Sequence, residues 1–165
     1  LHFIGQLSYK AGIDRGNMLE FASSVSLSAP LSLIFSIESI KMPTSQQIAQ
    51  VFQDYVDAMT SGDVEKIVSM YAPDAVVEDP VGSPKVVGHA AIRAFYADAA
   101  PQVDHMILDG NPRIAQNTGA APMRCFPKEP QGYCVEIVDV MVFNDAGKIT
   151  SMTAYWGETN FRPAN

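Results

Sequence analysis

Three side chains in this sequence, Asp79, Tyr55 and Asp139, are of the types that could together move a proton. Asp139 is the most informative. It lies in Ile137-Val138-Asp139-Val140-Met141-Val142-Phe143, a lone carboxyl within an otherwise apolar strand pattern. Side chains alternate across a strand, so Asp139 is expected on one face with Ile137, Met141 and Phe143. A carboxylate there is costly to desolvate. It must meet a cation, gather hydrogen-bond donors or stay protonated. A protonated carboxyl is a donor, and donors in dry pockets stabilise developing oxyanions. The alternative is a structural Asp held by an Arg or by backbone amides, which for an isolated buried acid is the commoner case.

Asp79 follows Ala75-Val76-Val77-Glu78 and precedes Pro80-Val81-Gly82. Pro80 restricts Asp79 to extended backbone and predicts that the strand ends there, with Asp79 on the Val77 face and Glu78 on the other. A turn Asp bonded to nearby amides is the alternative. Tyr55 falls in the apolar stripe of a predicted helix, with Ile48, Val51, Phe52, Val56 and Met59, whereas Asp54 and Asp57 fall outside it. It is either a core tyrosine with one convenient acceptor or a phenol aimed into a cavity.

Composition frames these residues. The chain has 165 residues and a net charge of −7. Residues 1–41 hold three basic side chains (Lys10, Arg15, Lys41) and three acidic ones (Asp14, Glu20, Glu38), so the whole acidic excess lies in residues 42–165. An acidic domain argues against nucleic acid or an anionic membrane as partner. His2, His89 and His105 are scattered and form no metal-ligand pattern, and there is no P-loop or nucleophile elbow. The expectation is chemistry on Asp and Tyr with no cofactor and no metal. Cys125 and Cys134 flank a turn-rich stretch and could meet across a hairpin; buried free thiols in a cytoplasmic protein are the preferred reading.

The elements that must position these residues follow from punctuation. Thr44 or Ser45 caps a first helix that Gly62 stops, and a second opens at Asp63, carries Ile67, Val68, Met70 and Tyr71, and ends near Pro73. A short strand, 75–79, leads to a Gly/Pro turn. A third helix begins near Gly88-His89 and uses Ile92, Phe95, Tyr96 and Ala99. Strands are expected over 106–108, 113–116, 123–126, 133–143 and 148–156, with Asn144-Asp145-Ala146-Gly147 turning between the last two. Helices followed by a strand meander predict an α+β domain over 42–165. Residues 1–41 read as a leader, whose Ser-rich apolar run is too short for a membrane span, with Met42 the preferred start of the native chain.

These motifs carry a resemblance. Tyr55, Ser61-Gly62-Asp63, Met70-Tyr71-Ala72, Val77-Glu78-Asp79-Pro80, Ala94-Phe95-Tyr96, Ile137-Val138-Asp139-Val140-Met141 and Ala154-Tyr155-Trp156 occur in the order seen in bacterial ketosteroid isomerases. The match runs from about Thr44 to Asn160 and is more specific than membership of the wider superfamily of nuclear transport factor 2, polyketide cyclases and scytalone dehydratase. It implies a cone-shaped, curved, mostly antiparallel mixed sheet with three N-terminal helices enclosing an apolar pocket, and a homodimer. It also implies a steroid delta-isomerase, in which Asp79 moves a proton from carbon 4 to carbon 6 of a 3-oxo-delta-5 steroid. Tyr55 and neutral Asp139 would hold the dienolate oxygen, an arrangement known for that family. Tyr71 and Tyr96 would support the catalytic phenol. Trp156, Met123 and Met141 are the expected substrate contacts, with core packing an equal alternative for Trp156. Met123 and the segment 127–132 depart from the family pattern, which bears on the substrate more than on the reaction. The alternatives are a polyketide-cyclase-like enzyme and a non-catalytic module binding a hydrophobic ligand.

Overall fold

The computed structural model describes residues 42–164, so the expected leader, residues 1–41, lies outside the described residues. The first helix, α1 (Ser45–Ser61), begins at a capping box: the Thr44 hydroxyl accepts from the Gln47 N–H and the Gln47 side chain accepts from the Thr44 N–H. These contacts satisfy two backbone donors that a helix start leaves open. Gly62, at φ 69°, closes the other end in the left-handed conformation that favours glycine. Ile48, Phe52, Tyr55, Val56 and Met59 form the buried stripe, as the periodicity predicts.

Asp63 caps α2 (Val64–Met70), which ends one residue short of Tyr71. Tyr71 instead opens β1 (Tyr71–Glu78), which corrects its expected place on the second helix. The Tyr71 backbone is extended (φ −89°, ψ 151°) and pairs with Ile149. The pairing shifts between Tyr71 and Val76, a gap containing Pro73, which has no N–H for a ladder. After β2 (Val86–Val87) comes α3 (Gly88–Ala99), then a 3₁₀ turn, Ala100–Gln102. The remaining strands are β3 (Val103–Leu108), β4 (Arg113–Ala115), β5 (Thr118–Pro127), β6 (Tyr133–Phe143), β7 (Ile149–Tyr155) and β8 (Phe161–Pro163). The patterning did not reveal β2 and β8, which are too short to carry a period.

The sheet path is β2-β1-β7-β6-β5-β3, with β4 on β5 and β8 on β6. Pairing is antiparallel except between β1 and β7. The α+β class, the mostly antiparallel mixed sheet and the three helices therefore match expectation. The cone-shaped, curved sheet does not. β2 and β3 end the path without pairing to each other, so the sheet is open rather than drawn round into a cone. Closure would require those end strands to share a ladder, and β2, only two residues long, pairs with β1 alone.

Helix α1 packs on β3 and α3 on β1, so the helices cover one sheet face. Gly119 permits the close approach of α1, because a Cβ there would come within 2.5 Å of the Phe52 ring. The core between these layers includes Phe52, Tyr71, Ile92, Tyr96, Met123, Met141, Phe143 and Met152. No described helix is long and apolar enough to cross a membrane.

Candidate active site

The register of β6 brings the first part of the site together. Asp139 pairs with Ala121 of β5 and Ala154 of β7, so small side chains flank it on the buried face. It is 1% exposed, and its Oδ1 has no hydrogen-bond partner among the described residues. Burial raises its carboxyl well above the usual value, and the nearby Asp79 raises it further. Both effects favour the neutral form of Asp139, which has a proton to donate.

Asp79 lies just beyond the end of β1 and is half-buried. Burial raises its carboxyl too, but the Trp156 indole N–H, 2.7 Å from Oδ1, pulls the other way by favouring the ionised form. Trp156 follows the last residue of β7, the parallel neighbour of β1, and this pairing brings the two strand ends side by side. The sequence pattern left Trp156 between core packing and ligand wall. The structure makes it the partner of Asp79, which no local pattern could have revealed.

Tyr55 comes from the buried stripe of α1. The Tyr96 hydroxyl donates to the Tyr55 oxygen at 3.3 Å, and the Tyr71 and Tyr96 oxygens are 2.7 Å apart. Each phenol has one proton, so a Tyr96 that donates to Tyr55 accepts from Tyr71. The Tyr55 proton is therefore left for a further acceptor. Burial raises all three phenols well above their ordinary value, followed for Tyr55 by Asp139, Tyr71 and Asp79. His89 Nε2, at the start of α3, lies 2.9 Å from the Tyr71 backbone oxygen and holds the strand against that helix.

A cavity of about 260 Å³ joins these groups. Tyr55, Asp79, Asp139 and Trp156 line it. Its walls are largely apolar, including Met59, Val103, Met106, Val135 and Ile137. Tyr71 and Tyr96 are buried behind Tyr55 and are not among the lining residues. Nor are Met123 and Met141, the other expected ligand contacts, at 1% and 0% exposure. Cys125 does line the cavity, and burial pushes its thiol up to about 11. It shares a face of β5 with Ala121 and Met123, so counting by twos from Ala121 would have found it. Both cysteines are free. Cys125 stands opposite Val135, leaving Cys134 on the other face of β6, so the two do not meet across the hairpin. A second cavity, about 290 Å³, is slightly larger, but Asp145 is its one carboxyl and it lies by the start of α1. Among the described residues, no group of three or more His, Cys, Asp or Glu could hold a metal ion.

The chain is similar over most of its length to known proteins. Residues 52–152 fit the model of the SnoaL-like domain. The chain belongs to the SnoaL-like domain family. It is similar to the steroid Delta-isomerase of Nocardioides simplex, with 37% identity over 112 residues, covering 68% of this chain and 91% of that one. It is also similar to the epoxide hydrolase LasB of Streptomyces lasalocidi, at 27% over 126 residues; these make up 72% of this chain but 44% of LasB. Among solved structures, the epoxide hydrolase/cyclase-like enzyme SalBIII, of pyran ring formation in polyether salinomycin, aligns with a TM-score of 0.65 and 26% identity. That alignment covers 72% of this chain and 96% of SalBIII. This SnoaL-like chain is therefore related to enzymes of two kinds, and the cyclase-type alternative gains more weight than its sequence motifs alone gave it.

Proposed function

We propose that the protein is a cofactor-independent isomerase that moves the double bond of a 3-oxo-delta-5 steroid into conjugation with its ketone. Ionised Asp79 takes a proton from carbon 4, and the electron pair passes through the double bond onto the carbonyl oxygen. The resulting dienolate oxygen receives hydrogen bonds from Tyr55 and neutral Asp139, whose protons are held in a low-dielectric cavity. Asp79 then returns the proton to carbon 6. One observation carries this reading: a buried phenol and a buried carboxyl whose neutral form burial favours line the same cavity as a carboxyl whose ionised form is favoured by an indole N–H. The Tyr71–Tyr96–Tyr55 chain favours an oxyanion, because each hydroxyl it adds supports donation by the last. Enone absorbance should rise when the purified protein meets a 3-oxo-delta-5 steroid. No rise above buffer at micromolar enzyme would overturn the proposal.

A second reading has its own support in LasB and SalBIII and in the two carboxyls of unlike environment. Neutral Asp139 would protonate an epoxide oxygen while Asp79 takes the proton of an attacking hydroxyl or water. Conversion of an apolar hydroxy-epoxide to a cyclic ether or diol, lost in Asp79→Asn, would favour it over isomerisation.

A further inference from the structure

One polar side chain of the cavity has no part in that chemistry. Gln102 ends the 3₁₀ turn Ala100–Gln102 and is exposed, so it belongs to the mouth of the cavity rather than its floor. Its position is held from two directions. The Lys128 N–H donates to the Gln102 backbone oxygen at 2.8 Å, and Lys128 Nζ donates to the Pro101 oxygen at 2.9 Å. The Gln102 Nε2 donates to the Asp98 backbone oxygen at 2.9 Å. That bond fixes which end of the carboxamide is nitrogen, because a carbonyl can only accept. The carboxamide oxygen has no partner among the described residues.

The register sets the scale. Asp139 pairs with Ala121 of β5, whereas Val103, next to Gln102, pairs with Pro127 at the far end of the same strand. At about 3.3 Å per residue those levels are roughly 20 Å apart. A ligand that reaches from Asp139 to Gln102 is therefore elongated. Between them the walls offer mainly aliphatic carbon and sulfur.

We infer that Gln102 is a specificity-determining residue whose carboxamide oxygen accepts a hydrogen bond from a hydroxyl at the end of the ligand remote from the reacting oxygen. This deepens the steroid reading and rests on it for the identity of the rigid skeleton. A hydroxyl can donate to the free oxygen. A carbonyl there would meet acceptor with acceptor at that oxygen and could be received only by the second N–H of Nε2, the first being given to Asp98.

The test uses the full chain and three phenolic steroids that differ only in the far ring, carrying a hydroxyl, a carbonyl or hydrogen. The phenol takes the place of the dienolate oxygen. Binding is read from the fluorescence of Trp156, the single tryptophan of the chain, which lines the cavity. The hydroxyl ligand should bind about five- to tenfold more tightly than the one carrying hydrogen, the effect of one hydrogen bond. Gln102→Leu should abolish that preference. Gln102→Glu, which keeps an acceptor and loses both N–H donors, should prefer the hydroxyl ligand to the carbonyl one. An undiminished preference in Gln102→Leu, no preference in the parent, or no binding at all would overturn the inference. A preference that depends on Gln102 in a protein that does not isomerise the 3-oxo-delta-5 steroid would sustain this inference while removing the proposed reaction. Isomerisation without the preference would do the reverse.

Discussion

Asp139 and Asp79 line one cavity, and burial raises both carboxyls, yet their surroundings differ in the ways that separate an acid from a base. Asp139 projects from the middle of β6, flanked by Ala121 and Ala154, with no partner for its Oδ1 among the described residues. Asp79 lies beyond the end of β1, beside a turn, with an indole N–H on its Oδ1. A strand centre offers no free backbone amide, because the ladders on either side use them. A strand end leaves room for a side chain from the next strand. The position of each acid in the sheet thus biases its protonation before any ligand arrives, and the charge of one discourages ionisation of the other.

The strongest way to break this contrast is to remove the proposed base. Asp79→Asn keeps the shape and should lower turnover by up to roughly 10⁴-fold, the upper range for a general base. Binding of a phenolic steroid should survive, and parent-like turnover in this variant would remove Asp79 from the mechanism.

Removing a donor should cost less. Asp139→Leu and Tyr55→Phe are each expected to slow turnover by roughly 10²–10³-fold. Asp139→Leu also tests neutrality without a substrate. The folded-state value of Asp139 is raised, so the unfolded chain gives up this proton first as pH rises. The stability this group contributes is fully present below its unfolded value, about 4, and is lost as pH rises through the folded value. The melting temperature of the parent relative to Asp139→Leu should therefore fall from pH 4 upward. A difference that stays flat or rises would mean that Asp139 is ionised in the fold.

Trp156→Phe sharpens the contrast from the other side. Loss of the N–H removes the influence that lowers the Asp79 carboxyl, leaving the burial that raises it. The acid limb of kcat/KM should move to higher pH, with a loss of roughly tenfold or less at neutral pH if the bond is an ordinary one. An unmoved limb would show that the indole does not tune the base. The smallest effect is expected for Glu78→Gln. Glu78 neighbours Asp79 but lies on the other strand face, where it accepts from the Gly82 N–H at 2.7 Å. Turnover should stay within about threefold of the parent, since ordinary surface changes are of this order. A collapse like that of Asp79→Asn would mean that the two acids had been assigned the wrong way round.

Much of the local structure was legible in the sequence because its causes are local. Thr44, Gln47 and Gly62 bound α1 through contacts within one turn, and alternation along β6 puts Asp139 on the face of Met141 and Phe143 without reference to any other strand. Tyr71 was misplaced because apolar spacing continues past Met70, whereas pairing with Ile149, remote in sequence, makes it a strand residue. The same limit explains the sheet. Resemblance suggested a cone, but whether edge strands meet depends on ladders between β2 and β3, which no local pattern contains. The sequence by itself determined which residues could carry the chemistry: an acid in an apolar strand, an acid at a strand end and a tyrosine in a helix stripe. Only the tertiary structure decided that they share one cavity, that Trp156 meets Asp79 and that Tyr71 and Tyr96 stand behind Tyr55. The reason is physical: burial and hydrogen bonding are properties of neighbours in space, and here those neighbours come from distant parts of the chain.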